Sequence, residues 1–215
     1  METKLQRLRD LVLEKNQVLN LTAITDPEEF DLKHTKDSLI LSDYITLSPG
    51  QTVADLGTGA GFPGLPLAIT YPEVSFHLMD SVNKKLRFIE EAVSELDLQN
   101  VQLHHGRFED LAHEARHRES YDVVVSRAVA ALPVLLEYMV AFAKVGGNLV
   151  CYKSQKFAVE LAESENALKL LNVRLKSVNK YSLGEAEHVL AIFEKLKPTP
   201  SKYPRQAGTP NRNPL

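Results

Sequence analysis

The chain has no tryptophan, a single cysteine and, over 215 residues, no long apolar run. A lone cysteine, Cys151, cannot form an internal disulfide, which fits a reducing compartment and leads us to expect a cytoplasmic protein. No stretch of 18 or more apolar residues occurs, so a membrane-spanning helix is excluded on length. The opening METKLQRLRD carries charges with no apolar segment behind them and does not read as a secretory leader. Charge of one sign is also scarce. The net charge of -3 gives no global signature of nucleic-acid binding and leaves only a local one open.

One apparent metal motif falls away on inspection. HEARH, residues 113 to 117, spells the H-E-x-x-H of zinc proteases, but Arg116 and Arg118 set cations beside the supposed metal. The segment is short and polar and supplies no buried second layer of ligand partners. It reads as a solvated surface turn, and no metal is expected.

What is present is organised in two stretches. Residues 2 to 20 carry Leu5, Leu8, Val12 and Leu19 at helical spacing between charges, and Asp26-Pro27 with Glu28 and Glu29 opens a second helical pattern. From Val53 the pattern alternates strands with helices: strands at 52–56, 74–80, 101–106, 121–126 and 148–153, helices at 63–70, 83–98, 128–143 and 157–171. The first and fourth strands are apolar on both faces, as in a parallel sheet covered by helices. Two further strands around Gly184 form a hairpin. The architecture this implies is α/β: a Rossmann-like doubly wound sheet ending in an antiparallel hairpin, with an N-terminal helical extension. We divide it into a helical cover (1–49), the α/β core (50–197) and a tail (198–215), forming one compact unit. From Lys195 onward the chain has five Lys or Arg, five prolines and no acids, a composition expected to be extended or loosely docked.

Chemistry concentrates in VADLGTGAGFPGLPLAI, residues 53 to 69. The loop follows a strand and opens a helix, so in a doubly wound sheet it lies where ligands bind. Gly59, Gly61 and Gly64 spell the G-x-G-x-x-G of a dinucleotide site, while Asp55 extends the pattern to D-x-G-x-G-x-G. Asp80 ends the second strand, 16 residues past Gly64, where a carboxylate can take both ribose hydroxyls of any adenosine cofactor. Asp55 is the discriminating acid. A carboxylate beside the loop opposes a pyrophosphate dianion and tolerates a cationic amino-acid moiety. S-Adenosylmethionine is therefore favoured over a nicotinamide cofactor, although a tight turn with Asp55 capping a backbone amide remains an alternative. Cys151 reads as a small buried hydrophobe. The segment after the fourth strand reads SRAVAAL, without the Pro-Cys of cytosine-C5 methylation or the Asn/Asp-Pro-Pro-Tyr/Phe of many amine methyltransferases.

NLTAI (20–24), KHTKDSL (33–39), DLGTGAGFPGLPLAI, MDSVNKKLRFI (79–89), GRFEDL (106–111), SRAVA (126–130) and the ending KYPRQAGTPNRNPL together resemble the bacterial 16S ribosomal RNA (guanine-N7) methyltransferase G family, also called glucose-inhibited division protein B. The matches run from Asn20 to Leu215. Two positions depart from that pattern: Lys15-Asn16 stands where Trp-Asn is usual, and KSQ (153–155) replaces Lys-Gly-Gln. The resemblance implies S-adenosylmethionine-dependent methylation of a guanine in the decoding-region loop of 16S rRNA, with the free rRNA or the small ribosomal subunit as partner. It implies cofactor contacts at Gly57, Gly59, Phe62, Asp80, Phe108, Glu109 and Arg127. Guanine N7 carries a lone pair and no hydrogen, so no general base is expected. Arg127 and Lys153, at the ends of strands four and five, are then the candidate positioners of substrate. Asn20 and His34 from the cover, and Lys202 and Arg205 from the tail, are the further candidates for RNA contact. A monomer is expected. The rival readings are a nicotinamide-dependent oxidoreductase using the same loop and a non-catalytic RNA-binding module.

Overall fold

The computed structural model describes residues 3–215. Met1 and Glu2 lie outside the described residues, Glu2 being the position at which the sequence pattern starts its first helix.

Helix α1 (Lys4–Leu19) starts at a reciprocal cap: the Thr3 hydroxyl accepts from the Gln6 amide at 3.2 Å, and Gln6 Oε1 accepts from the Thr3 amide at 2.8 Å. Asn20 closes it in the left-handed region, with φ of 49°. Asp26 caps α2 (Pro27–Phe30), whose proline occupies the first turn, where no amide is missed. The helical path then widens to a π-helix over Asp31–Lys36, tightens to α3 (Asp37–Leu39) and ends in a 3-10 turn, Ile40–Asp43. Such π segments are frequent at functional sites, and this one carries His34 to the mouth of the sheet.

The core alternates β1 (Thr52–Leu56), α4 (Gly64–Thr70), β2 (Ser75–Asp80), α5 (Asn83–Glu95), β3 (Val101–His105), α6 (Phe108–Leu111), β4 (Tyr121–Arg127), α7 (Leu132–Val140) and β5 (Ala143–Ser154). Next come α8 (Phe157–Glu163), α9 (Glu165–Leu171), the hairpin of β6 (Val173–Leu183) and β7 (Ala186–Lys195), and last α10 (Thr209–Arg212). The sheet order is β3-β2-β1-β4-β5-β7-β6, parallel except that β7 runs antiparallel to β5 and β6. The order reverses between β1 and β4, so the crevice expected to hold ligand opens past Leu56 and Arg127. Apolar side chains on the two faces form two separate cores, one centred on α7 and the other under α1, α4 and α5. No helix among the described residues is long and apolar enough to cross a membrane.

Several expectations need correction. The helical stretch 157–171 is two helices, because the buried Ser164 turns its hydroxyl back onto Glu160 O at 2.6 Å and interrupts the run. The helix expected from 128 begins at Leu132, since Ala128 sits at φ 57° and residues 128–131 form a loop. HEARH is the expected turn with His113, Ala115 and Arg116 exposed, but His117 is buried, its Nδ1 2.6 Å from the Tyr121 hydroxyl, and His113 Nε2 lies 3.0 Å from Pro204 O. The two histidines share no helix face.

The tail is the largest difference. It packs against α7 and the turn before β4. Lys195 is fully buried, paired with Glu119 and bonded to two backbone carbonyls. Arg118 donates to Thr199 O, Pro200 O and Tyr203 O, and the Tyr203 ring is buried. Arg205 grips the fully buried Glu137 with its amide and its guanidinium at 2.7–3.2 Å. Composition missed this because the acids that hold Lys195 and Arg205 lie 76 and 68 residues away in sequence.

Candidate functional site

Gly57 and Gly59 lead out of β1 at φ 74° and 62°, a conformation that side chains rarely adopt. A Cβ on Gly57 would meet Val129 Cγ2 at 2.4 Å, so the backbone there lies directly against the loop that follows β4. Around this contact lie two clefts. One, of about 200 Å³, is lined by Gly57, Thr58, Gly59, Phe62, His34 and Arg127 among others. The second, of about 170 Å³, is lined by Ser81, Gly106, Phe108, Val129, Tyr138 and Asn211 among others.

The loop's donors decide which cofactor fits. The amides of Gly57 and Thr58 both donate to Met79 O, and Gly59 N donates to Asp80 Oδ2 at 3.0 Å. Gly61 N and Phe62 N donate to Thr58 O, and Gly64 N donates to Asp55 Oδ2 at 2.9 Å. A pyrophosphate needs those amides and the open start of a helix; here they are occupied and two carboxylates stand among them. The nicotinamide reading therefore lacks its anion site. A cofactor without phosphate, held by its ribose and by apolar contact, fits the same cradle.

This changes the reason for weighing Asp55. Its carboxylate is fully buried, lines neither cleft and is raised to about 6, chiefly by burial. It caps the first turn of α4 and so blocks the anion site; it does not face a cationic ligand. Asp80 is also largely buried, with Oδ1 accepting from Val82 N at 2.8 Å and Oδ2 from Gly59 N. Each oxygen keeps a lone pair for a further donor such as a ribose hydroxyl.

Arg127 ends β4 where the first cleft adjoins a third. This third cleft, of about 640 Å³, is lined by Tyr152, Lys153, Glu160, Tyr181, His188 and Arg127 among others. The guanidinium donates to Asp37 Oδ2 at 2.8 Å and to Lys33 O at 3.3 Å, meets His34 Nδ1 at 3.1 Å, and lies over the Phe62 ring at 5.6 Å. Since Nδ1 faces a donor, it carries the lone pair, and Nε2–H points to the Thr22 hydroxyl at 2.7 Å. Burial, with Arg127 alongside, lowers His34 to about 4, which keeps the ring neutral. Asp37 Oδ1 accepts from the Tyr181 hydroxyl at 2.6 Å, tying β6 to the cover.

The remaining candidates divide. Phe62 lines the first cleft and Phe108 the second. Glu109 reaches the second cleft, but its Oε1 accepts from Gly208 N at 2.8 Å and from the Tyr138 hydroxyl at 3.3 Å, so it anchors the tail. Lys153 donates to Ala130 O and to Glu160 Oε2, which in turn accepts from Leu132 N. It thus fixes the 128–131 loop at the cleft's edge. Asn20 is a helix cap and lines none of the three clefts. Arg205, expected to meet RNA, is engaged by Glu137, whereas Lys202 is exposed beside the Tyr203 ring. Cys151 is buried and raised to about 12 by that burial, an inert thiol. The sequence reading gave no role to Asp37, Tyr181, Val129 or Asn211. Asp37 lies inside KHTKDSL and Asn211 inside the quoted ending, so their segments carried a signal, but only the fold brings them to the crevice.

Comparisons with known proteins bear on this site. A family model described as rRNA small subunit methyltransferase G matches residues 1–190. The chain is 48% identical over 208 residues, 96% of its length, to the ribosomal RNA small subunit methyltransferase G of Desulfitobacterium hafniense, covering 86% of that protein. It is 43% identical to the protein of that name from Alkaliphilus metalliredigens, over 96% of this chain and 87% of that one. Among solved structures, a SAM dependent methyltransferase from Aquifex aeolicus superposes with a TM-score of 0.59 at 21% identity, over 84% of this chain and 97% of that one, a likeness of fold.

Proposed function

This chain belongs to the rRNA small subunit methyltransferase G family, and from that premise we propose that it methylates N7 of a guanosine in the decoding-region loop of 16S rRNA. It is an S-adenosylmethionine-dependent rRNA methyltransferase with a class I Rossmann-like fold. The observation that carries the finer reading is the shared wall of two clefts. His34, Arg127 and Ala128 line both the cleft over the glycine loop and the larger one beyond β4 and β5. A methyl donor over the glycine loop and a flipped base in the larger, third cleft would meet at Arg127.

The cofactor supplies an electrophilic methyl carbon on a sulfonium. Guanine N7 attacks in line with its own lone pair, the C–S electrons remain on sulfur, and no proton has to move. The protein's part is to orient the base and exclude water. The product base is cationic, so a bare cation beside it would oppose the reaction. Arg127 is paired with Asp37, and His34 is neutral, so the wall at that point is close to uncharged. Arg127 keeps guanidinium N–H groups to orient O6 or a phosphate, while Lys153 acts through the 128–131 loop. Lys202 and the other exposed tail cations, Lys197 and Arg212, are left to meet RNA phosphates. We assign the activity to a single chain acting on free rRNA or the small subunit in the cytoplasm.

Transfer of radiolabel from methyl-labelled S-adenosylmethionine to rRNA from a strain lacking the enzyme, followed by nucleoside mapping, tests this. N7-Methylguanosine in the decoding-region loop is the expected product. Label on another base, or no transfer at all as for a non-catalytic RNA-binding module, would overturn it.

A further inference from the structure

The second cleft has a wall that comes from the far end of the chain. Two residues, Gly208 before α10 and Asn211 within it, reach back to α6 and α7: Gly208 N donates to Glu109 Oε1 at 2.8 Å, and Asn211 Nδ2 donates to the Tyr138 hydroxyl at 3.1 Å. The Tyr138 hydroxyl in turn donates to the same Glu109 Oε1 at 3.3 Å. These bonds fix the direction of every group. Tyr138 gives its only hydrogen to a carboxylate, so its oxygen must accept from Asn211, and the Asn211 carboxamide must turn its nitrogen toward Tyr138. One N–H and the Oδ1 acceptor of Asn211 are left for the cleft that it lines.

We infer that Asn211 reads the adenine edge of the cofactor, so that the C-terminal segment is a wall of the nucleoside site, and this inference rests on the cofactor assignment above. Phe108 and Val129 offer apolar surface to the faces of a flat base, and Asp80 stands at the neighbouring strand end for the ribose. Adenine's exocyclic amine is a donor beside ring-nitrogen acceptors. A carboxamide presents an acceptor and a donor side by side and matches that edge with two bonds. Hypoxanthine, with a 6-oxo group in place of the amine, would set oxygen against the Asn211 Oδ1. Glu109 serves this arrangement as a positioning residue, since it holds both Tyr138 and Gly208.

The test is calorimetric titration of the full chain with S-adenosylhomocysteine and with S-inosylhomocysteine, its 6-oxo counterpart. The wild-type chain should prefer the adenine form by at least about tenfold, the scale of one well-made hydrogen bond. Asn211→Ala should bring the two dissociation constants to within about twofold of each other. Asn211→Asp keeps an oxygen acceptor and should retain most of the preference. Asn211 is exposed, so neither change should shift the melting temperature by more than a degree or two. Equal weakening of both ligands in Asn211→Ala, with the preference intact, would mean that Asn211 only braces the tail and would overturn the inference, as would unchanged binding of both. Failure of the wild-type chain to bind either ligand would instead count against the cofactor assignment itself.

Discussion

Replacing Gly57 by alanine isolates the contact at the centre of the site. Two penalties arise. The residue sits at φ 74°, where an L side chain costs roughly 1–2 kcal/mol. The added Cβ would also lie 2.4 Å from Val129 Cγ2, whereas ordinary contact begins near 3.4 Å, so Val129 and its loop must retreat by about 1 Å. That loop is pinned by Lys153 on Ala130 O and by Glu160 on Leu132 N, and it has little freedom to move alone. Misplacement by about 1 Å can cost on the order of 100-fold in rate. Gly146→Ala supplies the control. Gly146 has φ 82° and nothing within 4 Å of a built Cβ, so it bears the backbone penalty without the collision. We expect both variants to lose about 1–2 kcal/mol of unfolding free energy from the backbone term, with Gly57→Ala losing more. Only Gly57→Ala should weaken S-adenosylhomocysteine at least about tenfold, equivalent to about 1.4 kcal/mol, in a calorimetric titration. If Gly57→Ala binds within twofold of the unmodified chain, Val129 does not shape the cofactor cleft and the reasoning fails.

Two further expectations concern stability. Arg205→Ala strands the fully buried Glu137 without its cation and should cost about 3–5 kcal/mol in urea denaturation; a loss below 1 kcal/mol would mean that the tail detaches freely. Acid sensitivity should follow the histidines. Burial holds His34, His77 and His104 at about 4 and lowers His117, so between pH 6.5 and 4 the unfolded chain binds more protons than the folded one. The stability these groups confer is complete above about pH 6.5 and is lost as pH falls toward 4. Asp55, raised to about 6, works in the opposite sense, its share being full below about 3.8 and lost as pH rises through 6. Four histidines outweigh one aspartate. The urea midpoint should fall steadily from pH 7 to 4.5, and His104→Gln should flatten that slope; a midpoint that rises on acidification would contradict the account.

The parallel core was legible because β1 and β4 are apolar on both faces, which few other environments tolerate. Local rules also located the Asp26-Pro27 start of α2. Harder to read was the direction in which a charged side chain turns. Asp55, Glu109 and Arg205 each lie on a segment whose motif was recognised, yet each points at a protein group: Gly64 N, Gly208 N and Glu137. Side-chain direction depends on partners distant in sequence, and composition carries none of that information. The same holds for the buried His117, whose polar neighbours in sequence suggested a surface turn while the aromatic groups around it are His104 of β3, Tyr121 of β4 and Phe142 ahead of β5.

Asp37 is where the N-terminal cover meets β4 and β6. It takes Arg127 with one oxygen and Tyr181, 144 residues downstream, with the other. During synthesis, therefore, the guanidinium at the crevice is held from one side only until β6 has emerged and paired. The cleft beside Phe108 waits longer still, for Asn211 and Gly208 to close over Tyr138 and Glu109. A chain stopped before Gly208 would carry the whole sheet and the whole glycine loop yet leave the cleft beside Glu109 and Tyr138 open on that side.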